Sequence, residues 1–173
     1  MKPYITNRNK SISEMKRNRF VLIVVILLQT AFCLAQNDKA KVISINHSDF
    51  IEEIYPKMKR PLIILFGSNY CQYSKSQMKL LNKIVIETDY YKYIDFYSVN
   101  ADIDENYEWL KKIYQEEKLE ALGTPTWVVY YGTKDDDDIA FSCAGNLSSD
   151  QLCNELEDVI DWLDTAVGYP EDN

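Results

Sequence analysis

The sequence predicts an α/β fold in which a mixed central β-sheet is flanked by helices on both faces. Three observations carry that expectation. Strand and helix patterns alternate through the first half of the chain, Pro61 to Gly67 (PLIILFG) is an unbroken apolar run, and two strand patterns follow one another near the C-terminus. Alternation implies parallel strands joined by right-handed crossovers, and an apolar run without polar alternation marks a strand covered on both faces. The final pair adds an antiparallel hairpin.

The elements follow in order. Lys41 to Ile45 (KVISI) alternates as a strand. Ser48 is positioned to cap a helix carrying Phe50, Ile51, Ile54 and Tyr55 on one face, with Pro56 at its end. Pro61 to Gly67 is the central strand. A long helix runs from Cys71 to about Thr88, with Met78, Leu81, Ile84 and Val85 at helical spacing. Tyr93 to Val99 returns to a strand, and Asn106 to Lys118 is a helix with Trp109, Leu110 and Ile113 inward. Thr126 to Tyr131 (TWVVYY) and Ile139 to Ala144 (IAFSCA) form the hairpin. A last helix starts at Ser148 or Ser149 and runs to about Thr165, with Leu152, Leu156, Val159, Ile160 and Leu163 on its apolar side.

Composition narrows the function. The 173 residues hold 19 basic and 27 acidic side chains, a net charge of −8 that opposes non-specific nucleic-acid binding. His47 is the single histidine, which excludes a His-rich catalytic zinc site and any two-histidine relay. No metal or other cofactor is implied. Asp102, Asp104 and Asn106 begin like a calcium loop, but Tyr107 stands where such a loop needs glycine. Lys134 to Asp138 (KDDDD) reads as a solvated hairpin turn. Asn46 and Asn146 begin Asn-x-Ser sequons, which matter only in a glycosylating host.

The N-terminus reads as an export signal. Met15 to Arg19 (MKRNR) is basic, and Phe20 to Phe32 (FVLIVVILLQTAF) is greasy but shorter than the about 20 residues that cross a bilayer. No stable membrane span is expected. Cys33 and Ala35 place small side chains for a cut after Ala35, whereas bulky Phe32 opposes lipidation of Cys33. Residues 1–35 are thus a cleavable leader, and residues 36–173 a single domain with a short tail (GYPEDN), periplasmic or secreted. The cut removes six basic side chains and one acidic, leaving 13 against 26 and three cysteines. An exported chain meets conditions in which disulfides form.

Two motifs carry chemistry. In Phe66 to Ser74 (FGSNYCQYS) a buried strand ends and a helix begins at Cys71, where unpaired N–H groups and the helix dipole favour the nucleophilic thiolate. An inert buried cysteine is the competing reading. Leu122 to Thr126 (LGTPT) leads into the TWVVYY strand, and Pro125, lacking an N–H, should begin that strand or sit in a special turn.

Taken together, the element order, the aromatic-Cys-x-x motif after an apolar strand, the Thr-Pro pair before a later strand, and Gly145 to Leu152 (GNLSSDQL) before the last helix resemble the thioredoxin superfamily. The resemblance spans nearly all of residues 36–173. It implies a thioredoxin-like fold, a cis Thr124–Pro125 bond beside Cys71, and a groove in which the Thr124 backbone pairs with a bound peptide. It also implies roles in substrate contact for Tyr70, Gln72, Tyr73, Thr124 and Pro125. The usual Trp-Cys-Gly-Pro-Cys is replaced here by Tyr70-Cys71-Gln72-Tyr73-Ser74, so the resolving cysteine has become Ser74. Leu65 stands where a buried aspartate is typical.

These departures define two functional expectations. In the first, Cys71 performs monothiol disulfide exchange on client proteins or peptides bearing disulfides or thiols, Ser74 supports its thiolate, and an external thiol reductant resolves the mixed disulfide. In the second, the fold is a redox-inactive module that binds a peptide without covalent chemistry. Cys143 and Cys153 lie outside the motif on apolar stripes of a strand and a helix, and a structural disulfide between them is expected. Two separate buried thiols, or a Cys71–Cys143 pair, are the alternatives.

Overall fold

The computed structural model describes residues 40–120, 122–132 and 139–166. The leader, Cys33, the KDDDD turn and the C-terminal tail lie outside the described residues.

The strands are β1 (Ile43–Ile45), β2 (Leu62–Gly67), β3 (Asp95–Asn100), β4 (Thr126–Tyr130) and β5 (Ile139–Ala144). They form one sheet in the order β1-β3-β2-β4-β5. β1 and β2 run parallel to β3, whereas β4 is antiparallel to both β2 and β5. The mixed sheet and its terminal hairpin are therefore as the alternation predicted. β1 and β3 both start two residues later than expected, β3 because a 3₁₀ turn, Tyr90–Lys92, precedes it.

The first helical segment departs most from expectation. α1 (His47–Asp49) widens into a π-helical turn over Phe50–Ile54 and tightens into 3₁₀ geometry over Tyr55–Lys57. Asn46, not Ser48, caps it. The Asn46 side chain accepts from the Asp49 N–H at 2.8 Å and the Asp49 carboxylate accepts from the Asn46 N–H at 3.0 Å. Ser48 Oγ instead donates to Asn46 Oδ1. Extended backbone at Asn46, where β1 ends, gives it the cap position. Phe50 is buried and Ile54 and Tyr55 pack against the same core, but the wider turn leaves Ile51 49% exposed.

The other helices are α2 (Gln72–Glu87), α3 (Asp104–Glu116) and α4 (Ser149–Ala166). Period-two alternation along β2 divides the core. Leu62, Ile64 and Phe66 join Phe50, Trp109, Leu110 and Ile113 on the α1/α3 face. Ile63 and Leu65 join Leu81, Ile84, Val85, Leu152 and Leu156 on the α2/α4 face. The central strand is covered on both sides, which accounts for its lack of polar residues.

One glycine is required by a close approach. Gly132, with φ +86°, lies after β4, where a Cβ would come within 2.1 Å of the Arg60 carbonyl group. Arg60 in turn ties the start of β2 to β3, its guanidinium pairing with Asp95 and donating to the Lys92 carbonyl at 3.1 Å.

Candidate active site

The site forms where β2 ends and α2 begins. Gly67, the last residue of β2, lies against the Ser74 side chain of the first helical turn, where a Cβ would meet Ser74 Cβ at 3.4 Å, an ordinary contact distance. Asp102, in the turn between β3 and α3, holds the intervening loop. Its carboxylate accepts from Ser68 Oγ at 2.6 Å and from the Asn69 N–H at 2.8 Å. Ser68 in turn accepts from the Tyr70 N–H with its hydroxyl and from the Cys71 N–H with its carbonyl. The sequence offered Asp102 only as part of a failed calcium pattern, and its true partners lie 33 and 34 residues away.

This loop delivers Cys71 to the N-cap of α2 in extended conformation, φ −91° and ψ 118°. Its side chain is partly exposed, and its Sγ donates to the Thr124 carbonyl oxygen at 3.3 Å. The Cys71 pKa is lowered from its ordinary value. The Ser74 hydroxyl is the largest cause, followed by the Ser74 backbone N–H, with desolvation opposing and the Tyr73 N–H and Thr124 side chain assisting. Ser74 Oγ is buried and has no hydrogen-bond partner of good geometry. The two facts agree if the hydroxyl is held in reserve. In the thiol form Cys71 gives its proton toward Thr124, and on ionisation the sulfur becomes an acceptor that Ser74 can serve.

The second wall is the Thr124–Pro125 loop, whose peptide bond is cis. Tyr114 of α3 fixes it from below. Its hydroxyl bonds Thr126 Oγ1 at 2.8 Å and takes the Gly123 N–H at 3.2 Å, while Thr126 Oγ1 donates to the Gly123 carbonyl at 2.7 Å. On the other side the Gly145 N–H donates to the Pro125 carbonyl at 2.8 Å. The buried Gln77 side chain accepts from the Leu147 N–H at 2.9 Å, joining the GNLSSDQL loop to the Cys71 helix. Neither Tyr114 nor Gln77 stands out in the sequence, because their partners lie in loops that no local pattern reveals.

Cys71, Ser74, Thr124 and Pro125 are thus brought together. Tyr70 and Tyr73 flank them, 91% and 64% exposed, and Gln72 is exposed between them. Leu65 is fully buried and apolar, beside Ser98 of β3 and Trp127 of β4, and carries no proton.

The expected Cys143–Cys153 disulfide is corrected, because both residues are free thiols. Both cysteines do pack against the same core layer. The sulfurs have different neighbours, however. Cys153 faces Tyr90, whose hydroxyl donates to Glu157 at 2.7 Å, whereas Cys143 sits opposite Trp127 near Glu155. Desolvation, and secondarily Glu155, raises the Cys143 pKa.

Among the described residues no cluster of His, Cys, Asp or Glu could hold a metal ion, and no helix is long and apolar enough to cross a membrane. His47 packs on Trp109 at 5.1 Å between ring centroids, at the start of α1.

No family model matches the chain, and no curated protein matches it. Solved structures do. Chloroplastic thioredoxin z is 18% identical, with a TM-score of 0.51 over 70% of this chain and 96% of its own. The thioredoxin Mala s 13 of Malassezia sympodialis is 20% identical, with a TM-score of 0.51 over 68% of this chain and 90% of its own. The sheet order, the cysteine at the start of α2 and these likenesses together establish that the chain has a thioredoxin-like fold.

Proposed function

We propose that the protein performs monothiol thiol-disulfide exchange through Cys71, in an exported compartment. The observation that carries this reading is the pairing of a thiol at the N-cap of a 16-residue helix with a buried, unpartnered Ser74 hydroxyl that favours its thiolate. The Cys71 thiolate attacks one sulfur of a client disulfide. A new sulfur–sulfur bond forms to Cys71, and the second client sulfur leaves as a thiolate that takes a proton from water. Ser74 cannot attack the mixed disulfide and Leu65 cannot relay a proton, so release requires a second thiol from outside the chain. Tyr70 and Tyr73 offer exposed aromatic surface for the client, and the Thr124 backbone offers hydrogen bonds to an extended segment.

Export rests on the basic-then-apolar order of residues 15–32, and the working domain on this reading is residues 36–173. Terminal sequencing of the protein from its host tests this, with Gln36 expected at the new N-terminus and an intact Met1 or Met15 counting against it.

The functional test is capture. Reductant-sensitive adducts on Cys71, identified by mass spectrometry and absent from Cys71→Ala, are expected. Partner binding that survives Cys71→Ser without any reducible adduct selects the non-covalent peptide-binding module instead, a reading that the apolar Leu65 and absent resolving thiol also suit.

A further inference from the structure

The described residues hold three free thiols, and these stand in different surroundings. Burial and the nearby Glu155 hold Cys143 as the neutral thiol. Cys153 packs against the α2/α4 core layer beside Tyr90. Cys71 alone occupies a helix N-cap, that of the 16-residue α2. Two groups bracket its sulfur. The Thr124 carbonyl oxygen lies 3.3 Å away, and the Ser74 hydroxyl, in a residue only 4% exposed, has no other partner. Tyr70, Gln72 and Tyr73 beside it are exposed, so a small solute reaches the sulfur from solvent.

What stands next to Cys71 decides the fate of an oxidised sulfur. A second cysteine one turn along the helix would consume an oxidised Cys71 at once as an internal disulfide. Ser74 offers only a hydroxyl there, which cannot form that bond, and Cys143 and Cys153 belong to β5 and α4. An oxygen placed on Cys71 is therefore kept until a thiol arrives from outside the chain. The Ser74 hydroxyl, with no other partner to give up, donates to the anionic sulfur that must attack the oxidant.

We propose that Cys71 reduces hydroperoxides, storing the oxygen as a sulfenic acid that then condenses with an external thiol. The thiolate attacks one peroxide oxygen, so a sulfur–oxygen bond forms and the oxygen–oxygen bond breaks. The sulfur loses two electrons, and the departing hydroxide, or alkoxide from an organic hydroperoxide, takes a proton from water. An external thiolate next attacks the sulfenic sulfur. A sulfur–sulfur bond forms, and the oxygen leaves as hydroxide that is protonated to water. The product is the same Cys71 mixed disulfide that a client disulfide gives, reached here from a client thiol and an oxidant. This activity rests on the reactive-thiol reading of Cys71 but not on exchange with disulfides.

The test treats the reduced full-length chain with hydrogen peroxide in the presence of dimedone, which traps sulfenic acids, and locates the adduct by mass spectrometry. An adduct on Cys71 is expected, absent without peroxide and absent from Cys71→Ala, with Cys143 and Cys153 unlabelled. Ser74→Ala should slow its formation at neutral pH by about threefold, since thiolate lost is partly returned as nucleophilicity. Ser74→Cys should lose the adduct and gain a disulfide between Cys71 and the introduced thiol. Without dimedone, glutathione added after catalase has removed the peroxide should give a mixed disulfide on Cys71. Labelling spread evenly over the three thiols, a disulfide from Cys71 to Cys143, or no adduct while iodoacetamide still alkylates Cys71 overturns the proposal. A rate unchanged in Ser74→Ala overturns the part given to its hydroxyl. Dimedone labelling without capture of any client disulfide supports this activity and overturns exchange, and capture without labelling does the reverse.

Discussion

The Sγ of Cys71 stands 3.3 Å from the Thr124 carbonyl oxygen, joining positions 53 residues apart at the mouth of the site. That contact suits a thiol and not a thiolate, because a carbonyl oxygen repels an anion. Ionisation must therefore transfer the sulfur from Thr124 to donors on α2, and Ser74 supplies both a hydroxyl and an N–H. Ser74→Ala is expected to move the pH midpoint of Cys71 alkylation upward and to slow the reaction at neutral pH. An unmoved midpoint would show that the helix N-terminus alone activates the sulfur.

The same shift has a stability consequence with a definite sign. Cys71 ionises more readily in the folded chain than in the unfolded one, where a cysteine titrates at about 8.5. Its contribution is fully present above that value and is lost as the pH falls through the lowered folded value. Cys143 has the opposite sign, since burial raises its pKa: its contribution is present below about 8.5 and fades as pH rises through the folded value. Denaturant titrations of Cys71→Ala and Cys143→Ala across alkaline pH should change slope in opposite directions relative to the natural protein. Parallel changes would contradict both assignments.

Much of this architecture was legible in the sequence because it is written in local pattern. The unbroken PLIILFG run located the central strand, and the 3.6-residue spacing of Trp109, Leu110 and Ile113 oriented α3. Cys71 and Thr124-Pro125 were legible as chemistry at element ends. What escaped depends on contacts between distant segments. Asp102, Tyr114 and Gln77 hold the loops of the site through backbone groups, and nothing in their own neighbourhoods announces those partners. The Cys143–Cys153 expectation failed for a related reason: sharing a core layer fixes which side two sulfurs face, but not the few ångströms of separation a disulfide demands.

Free thiols at Cys143 and Cys153 have a simple test. Added reductant should leave the thermal midpoint of the protein unchanged, since no bridge between them contributes to stability. A disulfide closing a loop of this size would contribute about 2–3 kcal/mol and lower the midpoint by several degrees when reduced. Such a drop, absent from a Cys143→Ala, Cys153→Ala double variant, would restore the bridge.

Tyr114 is expected to matter to the site without touching a substrate. Its hydroxyl bonds Thr126 Oγ1 and takes the Gly123 N–H, so Tyr114→Phe leaves loop polar groups short of a partner. The cost should be about 1–3 kcal/mol by denaturant titration. Because Gly123 precedes Thr124, the loosened loop should also weaken client capture more than it slows Cys71 alkylation by a small reagent. Equal losses in both would mean that Tyr114 acts through global stability alone.

Ser74 decides whether captured clients leave by an intramolecular route. Its side chain lies buried at the Cys71 end of α2, three positions along the helix, where a thiol could reach the sulfur of a mixed disulfide. The natural protein, having only a hydroxyl there, should be nearly inactive in insulin reduction driven by dithiothreitol. Ser74→Cys should gain turnover: the new thiolate attacks Cys71 of the mixed disulfide, the client departs reduced, and dithiothreitol reduces the resulting intramolecular disulfide. The gain should be partial. Leu65 offers no proton relay to the resolving sulfur, so adding Leu65→Asp to Ser74→Cys should raise turnover further, provided the variant keeps its fold by circular dichroism. Failure of Ser74→Cys to turn over, with Cys71 still alkylated at the natural rate, would show that the loss of the second cysteine is not what limits the chemistry.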